Sequence, residues 1–173
     1  MLNIVFLDRD GIINKDKNYV FKKEDFEFVE GIFTSCKHFQ KLGYGIIVIT
    51  NQSGIYRGYY SKNDFHVLTK WMVNEFSNNG INILDIFFCP HGPNSICNCR
   101  KPKPGMFLEA KLKHNVDIAN SWMIGNKETD IKAAYKAGIT NTILVKTNYD
   151  NGEYRYKPKY IIKSMSEATK IIK

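Results

Sequence analysis

The chain has 173 residues, 43% of them hydrophobic, which suits one domain with one sizeable core, and 25 basic against 17 acidic residues give a net charge of +8. That excess fits acidic or phosphorylated small molecules and non-specific polyanion contact, but the basic residues are scattered and form no polybasic tail. No run approaches the roughly 18 apolar residues that span a bilayer, and no secretory leader pattern opens the chain. The expectation is a cytoplasmic protein whose four cysteines are reduced thiols or metal ligands.

Short apolar runs alternate with longer amphipathic stretches. Residues 4–7 (Ile-Val-Phe-Leu) predict a strand buried on both faces. A helix follows over 32–42, stopped by Gly43, then a strand over 44–49. The helix over 61–78 is the clearest, because Ser61 and Asp64 make a capping box and Phe65, Leu68, Met72 and Phe76 recur at helical spacing. Beyond it come a strand over 83–89, a helix over 104–114, a strand over 122–124, a helix over 128–137 stopped by Gly138, and a strand over 142–145. Residues 146–159 read as a polar surface wrap, 160–162 as a last short strand and 167–172 as a terminal helix. Cys36 reads as a small core residue on the first helix, and His38, His66 and His114 as helix residues without partners. This alternation predicts an α/β fold over residues 1–173 as a single domain, a Rossmann-like three-layer α/β/α sandwich with a mainly parallel sheet.

In such sheets ligands bind beyond the carboxyl ends of the strands, and four polar loops fall there. Leu7-Asp8-Arg9-Asp10-Gly11 sets two carboxylates two positions apart, either a metal-binding pair or a nucleophile with an acid/base partner. Thr50-Asn51-Gln52-Ser53-Gly54 offers hydroxyls and backbone N–H groups suited to phosphate oxygens. Cys89, His91, Cys97 and Cys99 place three thiols and an imidazole within eleven residues, the donor set of a closed tetrahedral structural zinc site. The metal would clamp a loop carrying Arg100 and Lys101, an arginine able to fork onto phosphate and a lysine able to screen a nucleophilic carboxylate; Lys103, two residues on, fits such a role and plain surface equally well. In Gly125-Asn126-Lys127-Glu128-Thr129-Asp130, the acidic side chains either complete a magnesium shell or complement a helix dipole.

Asp-x-Asp-Gly at 8–11, Thr50, Lys101 and Gly-Asn-Lys-x-x-Asp at 125–130 together resemble the haloacid dehalogenase (HAD) superfamily of phosphatases over about residues 3–146. Within it the chain looks most like the heptose bisphosphate 7-phosphatases, through Thr50-Asn51-Gln52-Ser53-Gly54-Ile55-Tyr56-Arg57-Gly58, with the histidinol-phosphate phosphatases as the alternative because only five residues separate His91 from Cys97. The resemblance implies a HAD-like fold whose zinc-binding loop replaces a large cap domain. It implies that Asp8 is the nucleophile and a Mg2+ ligand, that Asp10 is the acid/base and binds Mg2+ through its carbonyl, and that Thr50 and Lys101 steady the phosphoryl group. Asp16, Lys17, Asn18, Tyr19, Asn51, Gln52, Ser53, Arg57, Arg100 and Lys127 would contact substrate, and Cys89, His91, Cys97 and Cys99 would hold structural Zn2+. Position 126 departs from the family pattern. An aspartate normally binds Mg2+ there, and Asn126, with Asp130 as an alternate, has one charge fewer to offer. The expected partner is a small phosphorylated sugar met by a monomer, with neither nucleic acid nor membrane. A zinc-stabilised module binding phosphate or nucleic acid is the non-enzymatic alternative, and it gives no reason for Asp8 and Asp10.

Overall fold

The computed structural model describes residues 1–146 and 154–173. Six strands form one sheet in the order β3-β2-β1-β4-β5-β6: β1 (Ile4–Leu7), β2 (Gly45–Asn51), β3 (Ile83–Cys89), β4 (Trp122–Gly125), β5 (Asn141–Val145) and β6 (Tyr160–Ile162). Every neighbouring pair is parallel. The chain works outward from β1 to β3 and then returns to β1's other side as β4, so the crevice at the carboxyl ends of β1 and β4 is the topological switch point.

Alternate residues of each central strand enter opposite cores. Val5, Leu7, Ile46, Val48, Ile124 and Ile143 pack with Ile32, Cys36 and Phe39 of α1 (Ile32–Lys41), with Leu68, Met72 and Phe76 of α3 (Lys62–Asn78), and with Ala168 of α6 (Ala168–Ile171). Ile4, Phe6, Ile47, Ile49 and Met123 pack with Met106, Phe107 and Ala110 of α4 (Gly105–His114) and with Ala133 and Ala134 of α5 (Glu128–Ala137). Burial on both faces is why β1 reads as an unbroken apolar run. Ser61 and Asp64 form the predicted capping box, and Gly43 and Gly138 adopt left-handed backbone where the helices stop.

The differences from expectation are local. β2 runs on through Thr50 and Asn51, which pair with Phe88 and Cys89 of β3. The terminal helix is a 3-10 turn over Met165–Glu167 followed by α6. A 3-10 turn at Lys23–Asp25 and the one-turn helix α2 (Ser53–Tyr56) are too short to leave a periodic signal. Of the predicted wrap over 146–159, residues 147–153 lie outside the described residues; beyond them, the Tyr156 N–H donates to Glu128 and the Lys157 carbonyl accepts from Tyr135, which lays this segment along α5. Two of the three helical histidines have partners after all: His38 Nε2 lies 2.8 Å from the Ile172 carbonyl oxygen, and His114 Nε2 lies 2.6 Å from Asp85 Oδ2, a contact between α4 and edge strand β3. No helix among the described residues is long and apolar enough to cross a membrane, and no separate cap domain among them covers the strand ends.

Candidate active site

The site is organised around Lys101, 3% exposed. Its ammonium meets Asp8 Oδ1 at 2.9 Å, Asp130 Oδ1 at 2.7 Å and the Ile49 carbonyl oxygen at 2.8 Å. A lysine has three protons, so its donor capacity is filled. Burial works against the Lys101 charge, and Asp130 and Asp8 overcome it, holding its pKa above the ordinary lysine value. For Asp8 the balance tips the other way: burial pushes its carboxyl up to about 7, with Lys101 opposing and Asp130 and Asp10 reinforcing the shift. Backbone geometry fixes the lysine as firmly as charge does. Asn51 Oδ1 accepts the Lys101 N–H at 3.0 Å, and Asn51 Nδ2 donates to the Lys101 carbonyl oxygen at 3.1 Å. Asp130 caps α5 with its second oxygen, which accepts the N–H groups of Asn126 and Lys127 at 3.1 and 3.0 Å.

Asp10 has different surroundings. Arg9 folds back upon it in a fork, with Nε to Oδ2 at 3.1 Å and Nη2 to Oδ1 at 2.9 Å. Asn14 Nδ2 adds a bond to Oδ1 at 3.0 Å and Gln52 Nε2 one to Oδ2 at 3.2 Å. Arg9 is itself buried, with Nη2 also donating to the Val20 carbonyl oxygen. Sequence reasoning passed over Arg9 because a basic residue between two aspartates looks like simple charge balance. With Asp8, Asp10 and Asp130 set against Arg9 and Lys101, the buried cluster has one carboxylate more than it has cations.

Three oxygens at the switch point accept no hydrogen bond from the described residues: Asp8 Oδ2, the Asp10 carbonyl oxygen and Asn126 Oδ1. Asn126 Oδ1 is a buried atom without a partner, a costly state unless a ligand satisfies it. The Asn126 amide lies against Gly11, where a Cβ would come within 2.0 Å of Nδ2 and where φ is +90°. These all-oxygen donors, beside excess negative charge, fit a hard divalent cation. Both Asp130 oxygens are engaged by Lys101 and α5, which argues against the alternate metal-ligand reading of that residue.

At the end of β3, the four donor atoms of Cys89, His91, Cys97 and Cys99 lie within 4.8 Å of one another. Cys89 Sγ is 3.8 Å from Cys97 Sγ, and His91 Nδ1 is 3.4 and 3.3 Å from the sulfurs of Cys89 and Cys99. A tetrahedron with bonds of about 2.3 Å to sulfur and 2.0–2.1 Å to nitrogen has edges of about 3.5–3.8 Å, so the set fits zinc. Lys103, with plain surface as one of its two readings, clips this loop through Nζ, which donates to the carbonyl oxygens of Cys97 and Ser95 at 2.5 and 3.3 Å. Arg100 Nη1 donates to the His91 carbonyl oxygen at 3.2 Å.

A pocket of ≈ 340 Å³ opens above Asp8 and Asp10, and its walls include Asp16, Asn18, Tyr19, Asn51, Gln52, Ser53, Arg100, Lys101, Lys127 and Asp130. Lys127 Nζ and Asp16 Oδ2 face each other across its mouth at 3.5 Å. Thr50 sits just behind the wall, bonded to Gln52. Two predicted substrate residues stand outside it: Lys17 pairs with Glu27, and the Arg57 guanidinium lies over the Tyr19 ring. Tyr60 and Thr129 line the pocket without having been singled out.

A HAD-hydrolase-like family model matches residues 98–168. A D-glycero-alpha-D-manno-heptose-1,7-bisphosphate 7-phosphatase of Photorhabdus laumondii is 46% identical over 159 residues, covering 88% of this chain and 87% of the relative. A D-glycero-beta-D-manno-heptose-1,7-bisphosphate 7-phosphatase of Helicobacter pylori is 50% identical over 145 residues, covering 83% and 84%. The crystal structure of the D,D-heptose 1,7-bisphosphate phosphatase from B. bronchiseptica, complexed with magnesium and phosphate, matches with a TM-score of 0.86 at 26% identity, covering 99% of this chain and 98% of that one. The chain belongs to the family of D-glycero-D-manno-heptose-1,7-bisphosphate 7-phosphatases, within the HAD-like hydrolases.

Replacing one carboxylate of a buried ion cluster removes part of the compensation of the buried cation, even where, as at Lys101, a second carboxylate remains. Asp130→Asn turns an amide toward the Lys101 ammonium and is expected to lower the unfolding free energy by about 3 kcal/mol. A loss under about 1 kcal/mol in urea denaturation would show that Lys101 does not depend on this partner.

Proposed function

We propose that this chain hydrolyses the 7-phosphate of D-glycero-D-manno-heptose 1,7-bisphosphate through a phosphoryl-aspartate on Asp8, as a step toward the activated heptose of a surface polysaccharide. The observation that carries the reading is the pair of unlike carboxylates under one pocket. Asp8 has one oxygen held by Lys101 and the other free, while Asp10 is gripped by donors from three residues. Family membership and the relatives' own substrates support it.

In this reading Asp8 Oδ2 attacks phosphorus while the bond from phosphorus to the sugar O7 breaks, and the departing oxygen takes a proton from the Asp10 carboxyl, which carries it once one of its four donors gives way. Water then attacks the phosphoryl-aspartate, giving a proton to Asp10, and the bond from phosphorus to Asp8 breaks to release inorganic phosphate. Lys101 supplies fixed positive charge beside Asp8, and the Thr50 hydroxyl supplies a donor to a phosphoryl oxygen. Asp8, the Asp10 carbonyl and Asn126 are the residues that would hold Mg2+, which when bound lowers the repulsion between a carboxylate and a phosphoryl group. Asp16, Asn18, Tyr19, Ser53, Arg100 and Lys127 line the path for the sugar and its second phosphate, while Asn51 and Gln52 act on the lysine and on Asp10. Zinc at the four-donor cluster has a structural role. Four free thiols, three of them in that cluster, support a reduced cytoplasmic setting.

The direct test is phosphate release, with and without Mg2+, from both anomers of heptose 1,7-bisphosphate and from histidinol phosphate. Turnover of a heptose anomer that Asp8→Asn abolishes is expected, and turnover confined to histidinol phosphate would sink the assignment. Asn126→Asp restores a charge to the cation site and should lower the Mg2+ concentration for half-maximal rate by about tenfold; an unchanged Mg2+ titration would remove Asn126 from the ligand set. Metal analysis should find one zinc per chain, lost in Cys97→Ser. Because Asn51, Asp8 and Asp130 hold Lys101 independently, that variant should raise KM through Arg100 more than it lowers kcat, and the opposite pattern would contradict this division.

A further inference from the structure

In and just behind the pocket wall, three side chains form a hydrogen-bonded relay that ends on both acid/base and phosphoryl-binding groups. The Tyr60 hydroxyl donates to Gln52 Oε1 at 2.5 Å, and Gln52 Nε2 donates to Thr50 Oγ1 at 2.8 Å and to Asp10 Oδ2 at 3.2 Å. Tyr60, Gln52 and Thr50 are 6%, 2% and 1% exposed, so water has little access with which to substitute for any of these bonds. An amide has two distinct ends, and here each has a partner of the right kind: a donor faces its oxygen, and two acceptors face its nitrogen. Turned end for end, Gln52 would set its carbonyl oxygen against the Asp10 carboxylate and its N–H groups against the tyrosine O–H.

The orientation has chemical consequences at both far ends. Since Thr50 Oγ1 already accepts from Gln52, the Thr50 O–H proton is left free to donate to another acceptor. Asp10 receives a donor that complements the Arg9 fork and fixes the plane of its carboxylate. The tyrosine is placed with care for its hydroxyl. Its ring stacks on Phe21 at 5.1 Å and 10°, and it runs so close to Gly54 that a Cβ there would lie 2.1 Å from Tyr60 Cε1. Burial pushes the phenol up to about 12, with Arg9 pulling down and Asp10 pushing up, so the hydroxyl remains a donor across neutral pH.

We propose that Tyr60 is a positioning residue for this reaction, setting through the Gln52 amide the orientation of the Asp10 carboxylate and the Thr50 hydroxyl. The inference rests on the phosphatase reading above for its chemistry, but not for its geometry.

Tyr60→Phe keeps the ring and removes only the donor. The expected result is a fall in kcat of about three- to tenfold with KM within twofold, the scale of one lost hydrogen bond. The effect should vanish when Gln52 is absent, so that Gln52→Leu and the Gln52→Leu/Tyr60→Phe double variant share one kcat. A tyrosine acting only on packing would lower kcat equally in both backgrounds, and that outcome, or an unchanged kcat in Tyr60→Phe, overturns the proposal. The second readout needs no substrate. The Gln52 side-chain NH2 signals, identified in NMR spectra by their loss in Gln52→Leu, should be well separated and protected from solvent exchange, and Tyr60→Phe should speed that exchange at least tenfold. Signals that do not respond to Tyr60→Phe refute the relay even in an active enzyme, whereas an enzyme inert toward heptose bisphosphate refutes the substrate assignment and leaves the relay to be judged on the amide.

Discussion

A lysine ammonium removed from water must find its charge and hydrogen-bond partners in protein, and much of this active site follows from that demand. Lys101 lies on the segment leaving the cysteine loop, but its partners come from the ends of β1 and β2 and from the first turn of α5. The central strand, its neighbour and the α5 helix must therefore hold their relative places for the charge to be satisfied. A buried ion cluster of this kind adds little net stability compared with apolar packing. What it provides is a fixed positive charge beside a carboxylate, in place before any phosphate arrives.

The two aspartates that end β1 differ less in identity than in surroundings. Desolvation raises the proton affinity of Asp8 against the pull of Lys101 on one oxygen, and its other oxygen stays open to react. Asp10 meets a guanidinium fork and two amides, so its orientation is fixed on both oxygens. Residues two apart on a strand end can receive such different treatment because the chain turns sharply at Gly11 and brings Asn14 back toward Asp10. At the end of β4, Asn126 adds a neutral buried oxygen without a partner.

The sheet and its helices were readable because each carries a period: unbroken apolar runs for doubly buried strands, and Phe65, Leu68, Met72 and Phe76 for α3. The polar loops were readable because the switch point of a parallel sheet gathers them. Hidden features had no periodicity and depended on which atoms meet. Arg9 carried no reading of its own and is a buried clamp. Asn51, expected as a substrate contact, lines the pocket and also holds the Lys101 backbone. Lys103 fitted plain surface as well as a role beside the carboxylate, and it ties down the cysteine loop. Tyr60 lies eight residues from the glutamine it touches, across a one-turn helix that leaves no pattern. The His114–Asp85 contact spans 29 residues and depends on how α4 packs beside β3.

The Asn51 clasp on the Lys101 backbone has an evolutionary reach beyond the site itself. It ties the lysine to β2, a central strand, from outside the cysteine-bearing excursion that precedes it. Residues between His91 and Cys97 can then lengthen, shorten or change in sequence while the lysine keeps its register. The excursion becomes a region where selection can reshape what the enzyme admits without disturbing how it reacts.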